Sequence, residues 1–426
     1  MDNSINMKTL SLFVLFCLIS SLSFSQNEPF SEVTEVSASD TLNAKLKIYL
    51  DCDDCNSAFF RRHLIFSDFV RDAKLADIHV FVTKQKTSGN GTEYGLNFIG
   101  LNDYADLKYK LKTISSQDET DIIRWQRLLK IIDAGLLPYL SRTSDFAGVK
   151  IHHETPVATK IQIDDPWNFW IFRMDFGSSF SGEKTKKKYS LNSSIKADRI
   201  TDVYKFKSEL SYDLNKNIYK DDDENIVSSK EEAEFNARMI YSISSRWSAG
   251  IFQKYYSSTY LNLNKAFYLG PAIEYNIFPW DKSDSKVFTV SYIVKPNYYR
   301  YNQQTLFGEI EEWRTSESLK LSLLLRQPWG VIENTLEGSH FFHDFSKNRL
   351  ALESDTSVRV LKGLFVFANI ETELIHDQLY LPAGDITREA MLLQQNKLAT
   401  NFEMSGKLGV RYTFGSNFNN IVNQRL

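Results

Sequence analysis

From Phe402 to Phe414 every second residue faces one way: Phe402, Met404, Gly406, Leu408, Val410, Tyr412 and Phe414. Glu403, Ser405, Lys407, Gly409, Arg411 and Thr413 fall between them. A period of two puts successive side chains on opposite faces of a strand, so one face here is apolar and the other polar. The same alternation fills the chain after Pro166, in Leu319, Leu321, Leu323 and Leu325, in Val366, Ala368, Ile370 and Leu374, and in Phe235, Ala237, Met239, Tyr241 and Ile243. Twelve strands are predicted, near 168–182, 187–198, 203–215, 231–244, 246–258, 265–278, 286–302, 311–326, 330–342, 349–361, 364–376 and 397–414.

Alternation alone is shared with soluble sandwiches; length and punctuation separate the two. These segments run to about 10–17 residues, whereas soluble strands usually have about five or six and a tilted membrane-crossing strand needs about 9–11. Aromatic residues cluster at the ends of the apolar faces, as an interfacial girdle requires. The chain holds 21 Tyr, 30 Phe and 7 Trp, or 14% aromatic residues, and the excess lies after residue 165. The links "DRIT", "SR", "FPWDKSDS", "QPWG" and "LKG" are tight, while those after the third, seventh and eleventh strands are long. The reading is an all-β transmembrane barrel of about twelve antiparallel strands over residues 166–415, with its tight links on the periplasmic side.

The N-terminus carries Lys8, an apolar core from Leu10 to Leu22 and the string "SLSFSQ", so residues 1–25 read as a secretory signal and 26–43 as a linker. Cys52 and Cys55 are then the remaining cysteines, in a compartment that permits disulfides. A formal net charge of -3 gives no reason to expect a nucleic-acid partner. Residues 44–143 have mixed periods: strand, helix from Asn56 to Asp72, three strands, and a helix from Glu119 to Leu140 capped by Asp118. This β-α-β-β-β-α order describes a small α+β domain placed in the periplasm. Residues 144–165 form a second linker, and 416–426 a C-terminal tail on the same side of the membrane.

"IYLDCDDCNSAFF" places Cys52 and Cys55 between a strand and a helix, where a thiol oxidoreductase would keep them. A reactive thiolate needs nearby positive charge, but Asp51, Asp53 and Asp54 supply the opposite. A thioredoxin-type fold needs a later proline facing the sulfurs, and no proline occurs between Cys55 and Leu137. Zinc would need two further ligands, and an EF-hand fails because the twelfth position from Asp51 is Arg62. A structural disulfide is expected, with the aspartates capping the helix that follows.

Inward positions of the barrel carry both signs: Arg173, Asp175, Arg238, Glu274, Arg359, Glu371, Glu373, Glu403, Lys407 and Arg411 form the expected lumen charge network. Twelve strands enclose a narrow interior, where charges must pair or stay wet. The acidic stretch "NIYKDDDENIVSSKEEAE" is expected to be an outer loop, with Asp221, Asp222, Asp223 and Glu224 as a cation-binding candidate. His340, His343 and Ser346 near the outer rim invite a hydrolase reading, but His343 and Ser346 are three apart and point to opposite faces of a strand. His152, His153 and Glu154 are a weak metal candidate within the linker. No catalytic residue, resident metal or cofactor is assigned.

The strings "LDCDDC", "FVRDAKLADIHVFVTKQ", "EYGLNFIG" and "GVRYTFGSNFNNIVNQRL" resemble those of an uncharacterised family of Bacteroidota outer-membrane β-barrel proteins with an N-terminal periplasmic α+β domain. The resemblance implies architecture and compartment and no activity. The expected function is a non-enzymatic anchor for an interaction domain within an envelope assembly or transport complex. Its partners would be outer-membrane lipid, lipopolysaccharide, and proteins bound through residues 44–143. A small polar-solute or ion channel is the alternative, and an outer-membrane lipid hydrolase a distant third.

Overall fold

The computed structural model describes residues 45–52, 55–87, 91–149, 165–201, 203–220, 225–361, 364–384 and 397–412, all within one contact unit, Asn43–Leu426. The expected signal peptide, first linker and C-terminal tail lie outside the described residues, as do His152, His153, Glu154 and Asp221, Asp222, Asp223, Glu224.

The N-terminal domain comprises β1 (Leu46–Asp51), α1 (Ser57–His63), β2 (Ser67–Phe69), β3 (Ile78–Lys86), β4 (Thr92–Gly100), β5 (Lys108–Ser115) and α2 (Asp121–Leu140). The sheet order is β2-β1-β3-β4-β5; β1 runs parallel to β2 and β3, and the remaining pairs are antiparallel. Alternation along the strands sends Leu46, Ile48, Ile78, Val80, Leu96 and Phe98 to one face. That face is buried against Phe60 of α1, Leu64 at its C-cap, and Leu128, Ile132 and Leu136 of α2. Each such side chain stabilises the domain by roughly 1.5–3 kcal/mol. Gly135 of α2 lies directly on the Phe98 ring, where a Cβ would overlap it.

Three local expectations are corrected here. The helix expected over residues 56–72 stops at His63, because Leu64 leaves the helical region and Ser67 Oγ donates to its carbonyl at 3.0 Å. The residues that follow supply β2, an edge strand that adds one element to the expected order. Second, the α1 N-cap is Asn56, whose side chain accepts from Phe59 N at 3.1 Å, rather than one of the aspartates; Asp53 and Asp54 lie outside the described residues. Third, the N-cap position of α2 is Thr120, and Asp118 instead accepts a hydrogen bond from Ser116.

The second sheet holds β6 (Trp170–Gly182), β7 (Lys186–Ile200), β8 (Tyr204–Lys220), β9 (Asn225–Ser242), β10 (Trp247–Ser258), β11 (Leu263–Asn276), β12 (Lys286–Tyr301), β13 (Glu311–Gln327), β14 (Gly330–Phe341), β15 (Asp344–Leu361), β16 (Leu364–Ile375) and β17 (Phe402–Tyr412). All twelve lie in chain order, each antiparallel to the next, giving an all-β barrel sheet preceded by a small α+β domain. Among the described residues the ladders end at β6 and β17, which are not paired with one another. Among the described residues no helix is long and apolar enough to cross a membrane.

One face of this sheet displays Met174, Leu210, Met239, Ile251, Leu319 and Leu408, all exposed. Exposed aromatics border that band at both ends: Tyr241, Trp247 and Trp329 near the tight links, and Tyr189, Trp313 and Phe402 near the opposite rim. The expected acidic loop is corrected too. β8 continues to Lys220 and β9 begins at Asn225, with Ile218 paired to Val227 and Tyr219 to Ile226, so most of that stretch is a two-stranded extension of the wall. A polar hairpin in water keeps its backbone groups paired as readily as one in lipid, so a change of composition does not end the strand.

At the rim away from the tight links, the segment after β16 crosses toward two neighbouring loops. Asn262 Nδ2 donates to the carbonyls of Gln303 and Tyr380 at 3.0 Å each, and Leu306 N donates to Leu381 O at 2.8 Å. Leu379 and Leu381 of this strap are buried, and Arg349 holds its start through Asp377 at 2.9 Å and the end of β16 through Glu373 at 2.6 Å.

Candidate functional site

The N-terminal sheet has a second face, free of helices, and this face meets the tight-link end of the barrel. It is polar because the positions alternating with the core are Tyr49, Asp51, His79, Thr83, Gln85 and Lys110. Asp284, in the link between β11 and β12, is only 4% exposed; it pairs with Lys110 and accepts from Thr83 Oγ1 at 3.5 Å. Gly95 leaves room for it, since a Cβ there would stand 3.2 Å from Asp284 Oδ2. Beside it Ser283 Oγ donates to Gln85 Oε1 at 3.5 Å.

On the far side of the same mouth, Arg359 of β15 donates to the Tyr49 hydroxyl and to Asp51 Oδ2 at 3.3 Å. Its guanidinium also lies over the rings of Tyr49 and Phe365, 5.0 and 4.9 Å from their centroids. Asp51 is shared with His79, whose Nε2 stands 3.1 Å from Oδ2. Arg173 of β6 reaches Gln117, after β5, at 3.3 Å. Contacts at β6, the β11–β12 link and β15 place the domain across the mouth. Burial pushes the Tyr49 phenol up to about 12, with neighbouring Asp51 adding to the effect and Arg359 opposing it. Burial also draws the Lys110 ammonium below its ordinary range, with Lys112 acting in the same direction.

Cys52 and Cys55 are joined as a disulfide with Cα atoms 5.4 Å apart, which fixes the corner directly after Asp51. Cys52 lines a cleft with Thr83 and Tyr94 from the domain and Arg326 and Val331 from the barrel. The bridge therefore supports the docking face. With so short a loop, its loss is expected to cost about 1–2 kcal/mol on a loop-entropy argument. Alkylation of the native protein without reductant should leave both thiols unlabelled; quantitative labelling would show that the corner holds free cysteines.

The lumen face carries both signs on every wall but sets several like charges directly opposite one another. On β6 to β9, Arg173 stands directly opposite Lys196, and Lys207 opposite Arg238. On β14 to β17, Glu333 stands opposite Asp355, Glu353 opposite Glu371, and Glu373 opposite Glu403. Like charges in directly opposed positions destabilise a sheet. Lys196–Glu209 at 2.7 Å, Lys207–Asp198 at 3.8 Å, Arg349–Glu373 at 2.6 Å and Lys397–Glu403 offset part of that cost.

Of the other expected lumen charges, Asp175 accepts from Ser194 Oγ at 3.4 Å and Lys407 lies over the Phe367 ring. Glu274 is opposite Ser248 and Ser291, and Arg411 opposite Phe365. Arg359 and Arg173, on the same face at the tight-link end, also reach the N-terminal domain. Sequence reasoning missed Asp284 altogether, because "FPWDKSDS" carries only an ordinary turn signal.

The rim residues do not assemble a nucleophile. Ser346 Oγ donates to Asp344 at 2.6 Å, His340 Nε2 stands 2.8 Å from Glu317, and the His343 ring packs on Phe341. Among the described residues no group of three or more His, Cys, Asp or Glu side chains is placed to hold a metal.

No protein-family model matches the chain, and no curated protein does. Among solved structures it is similar to a crystal structure of the NanC porin, with 8% identity over 57% of this chain and 99% of that one. The TM-score is 0.28, below the level at which two chains superpose strand for strand.

Proposed function

We propose that this protein is a non-enzymatic outer-membrane β-barrel that anchors its N-terminal domain across the periplasmic mouth, where the domain meets protein partners of the envelope. Exposed apolar side chains bordered by aromatic residues suit hydrocarbon between two interfaces, and the surrounding partners are outer-membrane lipid and lipopolysaccharide. The observation that carries the anchoring role is the polar clamp of Asp284 on Lys110 and Thr83 with Arg359 on Tyr49 and Asp51. A tether alone needs no such buried pair. In planar bilayers the wild-type protein is expected to stay closed, and steady nanosiemens openings would overturn the reading.

One observation favours the alternative of a passage for small polar solutes. The like-charged cross-strand pairs weaken the sheet while keeping charged groups along the lumen face. Such a lumen would conduct only with the domain displaced, so conductance by wild type separates the two readings. Crosslinking in native envelopes tests the partner role, since a domain that captures no protein partner would leave the barrel without an anchoring task.

A further inference from the structure

The N-terminal sheet ends at β5, and that edge is long and bare. Gly100 N donates to Leu107 O at 2.8 Å, where the end of β4 meets the start of β5. The antiparallel register then turns the backbone groups of Tyr109, Leu111, Thr113 and Ser115 toward β4, and those of Lys108, Lys110, Lys112 and Ile114 away from it. β5 pairs only with β4 in the sheet, and among the described residues no backbone hydrogen bond reaches the four outward positions. All four residues are exposed, although the barrel mouth lies against the same sheet. The opposite edge, β2, has only 3 residues. An extended peptide can lengthen a sheet at an open edge, its main chain supplying affinity and its alternate side chains specificity.

The side chains decide which strand fits. On the α2 side Tyr109 and Leu111 pack against the core. On the other side Lys108, Lys110 and Lys112 stand in a row that ends in Ile114. Lys110 pairs with Asp284, and Lys112 with Glu93 at 2.9 Å, so three ammonium groups face two carboxylates. Each ammonium has three donors, and the Lys112 side chain is 47% exposed, which leaves room for a second acceptor. Lysines on an edge ordinarily keep strands from pairing at random. Two copies of β5 meeting antiparallel about Leu111 would set Lys110 against Lys112, and like charges directly opposite are unfavourable. A strand with carboxylates at alternate positions meets the same row with opposite charge.

We propose that the β5 edge takes up an extended acidic segment of a periplasmic protein by strand addition. The main chain of that segment bonds to Lys108, Lys110, Lys112 and Ile114, and its alternate carboxylates meet the lysines. The proposal names the surface behind the partner role given above and rests on that reading.

The test uses the full-length protein in detergent micelles and fluorescently labelled decapeptides, read by anisotropy. The probe alternates Val and Glu; one control holds the same residues in two blocks, and the other alternates Val and Lys. The probe is expected to bind at least about tenfold more tightly than either control, as several opposite-charge cross-strand pairs imply. Lys108→Glu should weaken the probe by about three- to tenfold. Lys112→Pro removes an N–H directed away from β4 and should bring the probe down to the controls. Bound probe should slow amide exchange at Lys108, Lys110, Lys112 and Ile114 and leave Leu111 and Thr113, already bonded to β4, unchanged. Equal binding of the three peptides, an unaffected Lys108→Glu variant, or protection without that alternation would each overturn the proposal. Exchange along β3 in the same samples reports docking, so an unbound probe with β3 protected refutes strand addition while the anchoring role stands.

Discussion

Replacing Asp284 and Arg359 together by alanine is expected to release the N-terminal domain from the barrel mouth. Asp284 is almost fully buried, and its loss strands Lys110 and Thr83 against the barrel end. Removing one member of a buried ion pair costs about 3–5 kcal/mol because the other charge is left uncompensated. Loss of Arg359 leaves Asp51 with His79 alone and uncovers the Tyr49 ring. A change of that size shifts the docking equilibrium by about a hundredfold or more.

Hydrogen exchange along β3 and trypsin cleavage within residues 45–143 should both rise, with barrel migration on gels unchanged. Wild-type protection in the double variant would show that docking rests on other contacts. Docking should also weaken in alkali. The Tyr49 phenol ionises at about 12 when docked against 10.0 ordinarily, so its contribution is complete below pH 10 and is lost as pH rises through about 12.

The second large effect is expected from Gly135→Val. α2 approaches β4 so closely that the Phe98 ring occupies the space of a Cβ at residue 135, and Tyr109 donates to the Gly135 carbonyl across the same contact. Neither partner can withdraw, since Phe98 is fully buried among Leu96, Leu136 and Tyr139. Overpacking a filled core costs about 1–3 kcal/mol for small insertions and more for a branched side chain against a ring. The domain should become protease-sensitive while the barrel stays resistant, and Gly135→Ala should show a milder form of the same defect. A Gly135→Val protein as resistant as wild type would mean that α2 can shift as a rigid body.

Much of this fold is legible in the chain because a period of two is hard to produce by accident over so many segments. The strand count follows from it, and so does the inward side for Glu371, Glu373 and Lys407. Parity fixes a face but not a depth, so the sequence puts Arg359 and Arg173 on the lumen face without showing that they also reach the docked domain. The pairing of Glu353 with Glu371 depends on register, which the pattern of one strand does not contain. Phe66 and Val70 continue a helical spacing, which is why the pattern extends a helix over residues 56–72. Ser67 and the hydrogen bond from Val70 N to Ile48 O turn those same residues into a sheet edge. Asp284 could not be found from its neighbours, since its partner Lys110 comes from another domain.

The strand order of the large sheet has a kinetic consequence. Every ladder in it joins strands consecutive in the chain, so each can close as a local hairpin with little loop entropy to overcome. A ladder between β6 and β17 would be the exception, because it must bring together the two ends of the whole segment. In a bilayer neither edge can remain unpaired, as no water reaches the bare N–H and C=O groups. The consecutive ladders are therefore expected to form first, with any meeting of the outermost strands last and slowest. The final step of assembly is thus the one in which the growing wall is most open to another strand.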